Sequence, residues 1–510
     1  MRDCASRPCV LMRGNVMNDA TIRYHQVRQK STHNSYQRTE SYPAQALYWR
    51  IRSLEIDIHN SNNAAGWPQL NGNWYVYHLA VIDQVSSVNT LADALDALLA
   101  FHRAVPQHEV VTLWLDLKDD FNAARDQTPE SLDRLLAERL GREHIWGPPD
   151  LIGDCTDLQA AIAAYGWPSL DTLRGKFIVG CTTGDLASPN SVLNQYVQNG
   201  ATANQRLAFV TPEITQAQQI DQHACAVMFN LSAAHTALAN AVFTAGFVGR
   251  AYGLNDANSW ATGWNSRAHH LATNKVNADW DGWARTDLPM TGYPFTGIDV
   301  TLPPDLTESG ALCAIKVDSG DIWNKRDSGY FRFDRATIGA ERTLSAFVTN
   351  PQSHTDGFIK GGVMARATTA DDAAYIAIFQ TAAHEIRMQY RRDNGAGTEK
   401  IDARLPNGVN GKPVVSSNTP IWLKLTVRGD GHQAQGSYSI DGLIWHAVGE
   451  IGVSQTLPLQ GWAASSHGAG SVKWLFGGAK APTESTVFGN SATGEFIADS
   501  APAASLGPYR

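Results

Sequence analysis

The stretch that decides the fold is SLEIDIH at residues 53–59, in which leucine and isoleucine alternate with polar residues. This period of two is typical of a β-strand, so the carboxylates of Glu55 and Asp57 point to the same face. Similar short apolar runs recur from about residue 21 to 300, with helical patterns between them. Strands that alternate with helices form a parallel sheet, and its most economical form is a closed (β/α)8 barrel of the TIM type.

Eight runs are predicted to be the barrel strands: RYHQVRQKS, SLEIDIH, WYVYHLA, VVTLWLDLK, KFIVGCTTG, AVMFNLS, FVGRAYGL and HHLATNKV. A further run, LAFVT at 207–211, is predicted to be an extra edge piece. The segment from Thr128 to Gly141 has an N-cap, a proline in its first turn and a glycine after its end, which predicts a helix. An open doubly wound sheet is the alternative, but no glycine-rich phosphate loop follows the first strand.

The pattern changes after Pro303. From about 306 to 480, alternating strands are separated by clusters of Gly, Asp and Asn, which predicts an antiparallel β-sandwich of the jelly-roll kind. We therefore expect an N-terminal tail at 1–20, a barrel at 21–305, a sandwich at 306–480 and a poorly ordered C-terminal tail at 481–510.

Composition excludes some classes of function. A chain of 510 residues is expected to hold two or three domains, and its net charge of -8 argues against nucleic acid as a partner. No apolar stretch approaches the length of about 20 residues that spans a membrane. The N-terminus has too short an apolar patch for a signal peptide, so the protein is either intracellular or numbered after a removed signal. Cys4 and Cys9 are close enough in sequence to pair under oxidising conditions.

Polar residues stand at the ends of several predicted strands, and in a parallel barrel these ends open onto one face. They are His33, Asn34, Glu55, Asp57, His78 and Asp116. Three carboxylates and an amide oxygen suit a hard cation such as Ca2+, and two imidazoles beside them suit proton transfer. Lys118 and Arg250, which also lie near strand ends, are candidates to bind an anionic substrate.

A structural alternative exists for each of these groups. Glu55 and Asp57 could form salt bridges with Arg50 or Arg52, but two adjacent buried carboxylates are costly without a cation. A single histidine near an apolar strand is usually a hydrogen-bonded core residue, and only the joint placement of His33 and His78 favours a catalytic role. His59 lies further out on the same face and is expected to be a rim residue.

The motifs resemble the calcium-dependent phosphoinositide phospholipases C, within the wider group of phosphatidylinositol-phosphodiesterase-like barrels. The resemblance rests on THNSY at 32–36, LEIDIH at 54–59, VYH at 76–78, PQHE at 106–109 and LDLK at 115–118. It covers about residues 25 to 300. Aspartate at position 116 is a departure, since the better-known eukaryotic enzymes have glutamate there.

The resemblance assigns roles residue by residue. It implies that Asn34, Glu55, Asp57 and Asp116 are Ca2+ ligands and that His33 and His78 are catalytic. The implied proton acceptor is His33 or a carboxylate, Glu55 or Asp116. It also implies that Arg250 and Tyr252 hold the inositol ring. The implied reaction is attack of the substrate's own 2-hydroxyl on phosphorus, which gives a cyclic phosphate.

The implied partner is an inositol phospholipid or a soluble inositol phosphodiester. The segment from Ala64 to Trp74 either dips into a lipid surface or caps the barrel, and the first arrangement would give peripheral membrane contact. The C-terminal domain resembles concanavalin-like and laminin-G-type modules, which often bind carbohydrate, through WLKL at 422–425 and YSIDG at 438–442.

Two other functions remain open at the level of the sequence. One is a phosphodiesterase of the glycerophosphodiesterase or sphingomyelinase D type, which also uses a His, Glu-x-Asp and His set. The other is a non-catalytic surface-binding or glycan-binding protein.

Overall fold

The structure is a computed structural model of the chain. It describes residues 23–47, 49, 51–62, 67–79, 83, 85–276, 281–284, 313–350, 356–382, 386–403, 405, 420–489 and 493–497. Cys4 and Cys9 lie outside these residues, so the predicted pairing stays a prediction. None of the described helices is long and apolar enough to cross a membrane.

Eight parallel strands form a nearly closed barrel, which confirms the predicted fold class. They are β1 (Gln29–Thr32), β2 (Ser53–His59), β4 (Val111–Leu117), β5 (Phe177–Thr182), β6 (Phe209–Thr211), β7 (Met228–Ser232), β8 (Val248–Tyr252) and β9 (His270–Thr273). Their order around the barrel is β6-β5-β4-β2-β1-β9-β8-β7. A parallel bridge between Glu213 and Asn230 joins the ends of this series, just beyond β6.

In the part of the chain that the structure describes, eight α-helices accompany the strands: α1 (Tyr42–Leu47), α2 (Leu91–Ala104), α3 (Pro129–Leu140), α4 (Pro148–Leu151), α5 (Leu158–Tyr165), α6 (Val192–Val197), α7 (Ala239–Thr244) and α8 (Ala257–Asn265). Helix α3 begins and ends as its sequence predicts. The Thr128 side chain accepts a hydrogen bond from the backbone N–H of Ser131, and Gly141 follows the last turn with a φ of 86°.

Two of the strand predictions differ from the structure. WYVYHLA was predicted to be a barrel strand, but only β3 (Tyr75–Val76) forms there, and it pairs antiparallel with the end of β2. LAFVT, predicted to be an edge piece, supplies β6, which pairs in parallel with β5. The prediction was wrong because the side chains of this segment divide between two cores. Trp74 and Val76 pack in the barrel core, whereas Tyr75 and Tyr77 form a small separate cluster with Leu70.

The second domain consists of two antiparallel sheets, as predicted. One has the order β19-β18-β17-β12-β21-β10-β23, and the other has the order β16-β15-β14-β13-β20-β11-β22. Their strands are β10 (Cys313–Val317), β11 (Gly329–Arg335), β12 (Arg342–Thr349), β13 (Lys360–Arg366), β14 (Tyr375–Thr381), β15 (Ile386–Arg391), β16 (Glu399–Ala403), β17 (Ile421–Val427), β18 (Gln433–Ser439), β19 (His446–Gly452), β20 (Leu459–Ser465), β21 (Val472–Gly477), β22 (Glu484–Phe488) and β23 (Gly494–Ile497).

The predicted C-terminal tail contains β22 and β23, so the prediction of a poorly ordered segment is wrong for these two strands. Strand β22 pairs antiparallel with β11, and β23 pairs antiparallel with β10. The serine, threonine and glycine content of this segment suggested a loop, but hydrogen bonds to neighbouring strands override such weak local preferences.

A tryptophan joins the sandwich to the barrel. Trp422 of β17 is buried, and its indole N–H donates to the backbone carbonyl of Ala100 in α2, 3.3 Å away. Phe347 of β12 packs beside it with a ring separation of 5.5 Å, and both residues belong to the hydrophobic core of the barrel. The core that Trp422 enters is therefore shared by the two domains.

A pair of buried histidines in the barrel wall predicts a dependence of stability on pH. His102 Nδ1 lies 3.1 Å from His108 Nε2. Burial lowers the pKa of His102 to about 4 and that of His108 to about 3. An unfolded chain takes up these protons near pH 6.5, so stability is lost as the pH falls below that value.

At pH 5 we expect His108 alone to lower the free energy of unfolding by about 2 kcal/mol relative to pH 7.5. Urea denaturation at both pH values measures this change. The variant His108→Gln should show a smaller loss between the two pH values, even if it is less stable at both. Equal losses in the variant and the wild type would contradict the assignment.

Candidate active site

Three carboxylates lie together at the C-terminal ends of two adjacent strands. Glu55 and Asp57 come from β2, and Asp57 stands in register with Asp116 of the neighbouring β4. One oxygen of each carboxylate lies within 4.8 Å of the other two. The strand-end pattern in the sequence therefore predicted this cluster correctly.

Two cationic side chains balance part of this charge. Arg250 of β8 lies across the barrel and places Nη2 2.8 Å from Glu55 Oε2. Lys118, directly after β4, places Nζ 3.1 Å from Asp57 Oδ2 and 2.5 Å from Asp116 Oδ2. Both residues were predicted to bind an anionic substrate, and in this structure both are paired with carboxylates of the site.

The electrostatics of the cluster suit a bound cation. Burial raises the pKa of Asp57 well above its ordinary value, and the charges of Asp116 and Glu55 raise it further. Burial also raises the pKa of Asp116. The Oδ1 atoms of both aspartates are buried and have no hydrogen-bond partner among the described residues. Buried carboxylate oxygens without donors are the ligands that a hard cation such as Ca2+ prefers, so these residues fit the ion.

Glu55 differs from the two aspartates. Burial raises its pKa, but the ion pair with Arg250, the nearby His33 and a hydrogen bond from the backbone N–H of Asn34 together hold it below its ordinary value. That N–H donates to Glu55 Oε2 over 2.7 Å. Glu55 therefore carries a negative charge at neutral pH.

Asn34 adopts the left-handed backbone conformation, with φ 48° and ψ 57°. Asparagine tolerates this region better than most residues, and the conformation turns the backbone N–H toward Glu55. Its side-chain amide nitrogen donates to Gln37 Oε1 over 3.3 Å. Its position beside Glu55 agrees with the predicted role as a ligand, which stays a prediction.

His33 lies between the carboxylates and an aromatic ring. Its Nδ1 is 3.1 Å from Asn274 Oδ1, which can only accept, so the Nδ1 atom carries the proton. This arrangement leaves Nε2 as a free base, 3.9 Å from Glu55 Oε2. The ring stacks on Tyr252 with a centroid separation of 5.8 Å. Burial lowers the pKa of His33, so the imidazole is neutral at pH 7.

His78 is linked to the site through a series of polar contacts. Its Nδ1 lies 3.2 Å from Asp83 Oδ2. A hydrogen bond from Gln37 lowers the pKa of Asp83, and Gln37 also accepts from Asn34. Among the described residues, no hydrogen bond or ion pair joins His78 directly to His33 or to the carboxylates.

The sequence reasoning missed three polar residues of the site. Asn230 accepts from Arg250 Nη1 over 3.1 Å, Glu213 accepts from the hydroxyl of Tyr252 over 3.0 Å, and Asn274 orients His33. Asn230 lies within β7, Asn274 directly follows β9, and Glu213 lies two residues after β6. The strand-end rule that identified Asp116 would therefore have found Glu213 and Asn274.

Arg52, weighed as a salt-bridge partner, and His59, predicted to be a rim residue, both have partners apart from the cluster. Arg52, considered as a salt-bridge partner for the β2 carboxylates, instead pairs with Glu109 over 2.7 Å. His59 stacks on Tyr77 with a centroid separation of 3.8 Å and lies 3.3 Å from Asp119. The side chain of His59 therefore has partners of its own outside the acidic cluster.

Residues 69–280 match the family model for calcium-dependent phosphoinositide phospholipase C. The match lies within the barrel and supports the predicted resemblance to that family. It is a family of phosphodiesterases, so the enzyme class predicted from the motifs is confirmed. No curated protein matches the chain.

Solved structures of phospholipases C are also similar to this one. The calcium-dependent phosphoinositol-specific phospholipase C of a Pseudomonas species has 20% sequence identity and a TM-score of 0.44 over 50% of this chain and 91% of that chain. The calcium-dependent enzyme of Streptomyces antibioticus has 20% identity and a TM-score of 0.42 over 50% and 96%. A glycerophosphodiester phosphodiesterase of Parabacteroides distasonis has 11% identity and a TM-score of 0.27 over 48% and 92%.

Proposed function

We propose that this phospholipase C barrel cleaves phosphatidylinositol, or a related inositol phosphodiester, by attack of the substrate's 2-hydroxyl on phosphorus. The observation that carries the proposal is the neutral His33, whose free Nε2 lies 3.9 Å from Glu55 Oε2 at the edge of the acidic cluster. A base and a cation site side by side are what an internal phosphoryl transfer requires.

Asn34, Glu55, Asp57 and Asp116 would hold the calcium ion. When bound, the ion would make the 2-hydroxyl easier to deprotonate and would stabilise negative charge on the phosphoryl oxygens. Asp116 has a shorter side chain than glutamate, but its unpartnered Oδ1 and its register with Asp57 support its role as a ligand.

The histidines would move the protons. His33 accepts the proton of the 2-hydroxyl at Nε2, because Nδ1 is already protonated and bonded to Asn274. Glu55 is the alternative acceptor, and its negative charge stabilises the imidazolium that His33 becomes. His78, whose ring is held by Asp83, protonates the leaving oxygen.

The apolar residues around the site favour a lipid substrate. Leu70 and Trp74, predicted either to reach lipid or to cap the barrel, are both buried, so they do not extend into solvent. Apolar side chains of the segment after His78 extend into solvent instead, because Leu79 is 50% exposed and Val85 is 69% exposed. Exposed aliphatic side chains beside the acid that protonates the leaving group would contact the lipid surface from which the substrate comes.

Tyr252 would bind the inositol ring, and Arg250 would position it. The Tyr252 ring stacks on His33, and its hydroxyl donates to Glu213. Arg250 is fully buried and bonded to Glu55, so it acts through that carboxylate. A carbohydrate ligand for the sandwich stays a prediction.

A turnover assay on phosphatidylinositol vesicles tests the proposed function. We expect release of inositol cyclic phosphate with calcium present and its loss when a chelator is added. Activity unaffected by the chelator would contradict the metal site. Cleavage of glycerophosphodiesters, but not of inositol lipids, would favour the glycerophosphodiesterase alternative.

A further inference from the structure

The position of Lys118 carries an inference that rests on the proposed calcium site and extends it. Its ammonium group bridges the two aspartates that belong to different strands, Asp57 of β2 and Asp116 of β4. It contacts the Oδ2 atom of each, while the Oδ1 atoms have no donor among the described residues. Lys118 thus stands where a cation bound by these two carboxylates would stand.

We propose that Lys118 is an internal cation that holds the acidic site together without calcium and leaves it when calcium binds. Lys118 therefore sets the affinity of the site for the ion. A lysine ammonium and a calcium ion repel each other, and both need the oxygens of Asp57 and Asp116. Binding of the ion therefore requires that the two ion pairs of Lys118 break.

Lys118 can move, whereas the other cationic group of the cluster cannot. The Lys118 side chain is 27% exposed and ends in a strongly hydrated ammonium on a flexible stem. Arg250 is fully buried between Glu55 and Asn230, with Trp114 beneath its guanidinium. A cation that enters the cluster therefore displaces Lys118 and leaves Arg250 in place.

The charge balance favours this exchange. When all three carboxylates are ionised, they carry one negative charge more than the two cationic side chains balance. A divalent ion in place of the lysine would neutralise the cluster. The released ammonium would remain beside the site, where it can bind the phosphodiester.

Calcium titration of the full chain by calorimetry, without substrate, tests the exchange. Lys118→Met retains the length of the side chain and removes its charge. We expect this variant to bind calcium about tenfold more tightly than the wild type, because no ion pair has to break. Lys316→Met in β10 of the sandwich is the matched control and should leave the affinity unchanged. Unchanged or weaker binding by Lys118→Met, or no binding by either protein, would overturn the proposal.

A second measurement uses the wild type alone, in case the variant folds poorly. Lysine methylation followed by mass spectrometry reports how accessible each ammonium group is. We expect Lys118 to react several-fold faster with calcium than with chelator, while Lys316 reacts equally under both conditions. A rate for Lys118 that does not rise with calcium would contradict the exchange.

The experiments distinguish a failure of the lysine exchange from a failure of the proposed function. If phosphatidylinositol is not cleaved but Lys118→Met binds calcium more tightly, the exchange stands and the substrate is wrong. If phosphatidylinositol is cleaved with calcium and the affinities are equal, the substrate stands and the exchange is wrong.

Discussion

Replacing His33 with alanine is expected to lower kcat on phosphatidylinositol by about a thousandfold, with a small change in KM. A positioned general base typically contributes between about 10² and 10⁴ to the rate. The imidazole is neutral, its Nδ1 proton is held by Asn274, and its Nε2 faces the acidic cluster, so Nε2 is placed to accept the proton. Steady-state kinetics at saturating calcium measure the effect.

His59→Ala is the matched control for this variant. His59 comes from the same face of β2, but it stacks on Tyr77 and pairs with Asp119 away from the cluster. We expect its kcat to stay within about threefold of the wild type, since no proton transfer depends on it. Similar losses of kcat in both variants would mean that the His33 substitution impairs folding and not proton transfer.

Replacing Arg250 with methionine is expected to destabilise the metal-free protein by about 3–5 kcal/mol, which is the cost of leaving a buried charge without its partner. Arg250 is fully buried, and its ion pair with Glu55 crosses the interior of the barrel. Urea denaturation at pH 7.5 with a chelator measures the change in the free energy of unfolding. Arg335→Met removes an exposed ion pair with Glu484 and should cost less than about 1 kcal/mol.

The pH dependence of the Arg250→Met variant separates lost charge pairing from lost packing. In the wild type, Arg250 helps to lower the pKa of Glu55, so this pairing stabilises the fold above the ordinary carboxyl pKa and is lost as the pH falls. In the variant, burial without a partner raises the pKa of Glu55, and protonation relieves the cost. The destabilisation should therefore shrink between pH 7.5 and 5. A difference that does not change with pH would indicate packing alone.

The acidic cluster could be predicted from the sequence because short local patterns identify the residues that form it. Glu55 and Asp57 are two apart on one strand, and Asp116 ends a run of aliphatic residues, so the parallel register of β2 and β4 brings them together. No comparable local signal existed for His78. The structure shows that β3 is not a barrel strand, and His78 approaches the site through Asp83 and Gln37 instead.

The sequence did not predict which carboxylate each cationic side chain pairs with. Lys118 and Arg250 were recognised as cationic groups near strand ends, but which anion each one meets depends on distances across the barrel. Arg250 meets Glu55 from the opposite side of the barrel, and Lys118 turns back over its own strand toward Asp116. The contact of Arg250 follows from the closure of the barrel, which no window of neighbouring residues encodes.

The pairing of β10 with β23 and of β11 with β22 affects how the sandwich can form during synthesis. The first two strands of the domain find these neighbours in the last two described strands. One sheet cannot be completed until residue 488 has left the ribosome, and the other not until residue 497 has done so. Pairings between such distant segments fold slowly. Until then, the edges of β10 and β11 are open to strands of other chains, so the sandwich is the part of the molecule most exposed to misassembly.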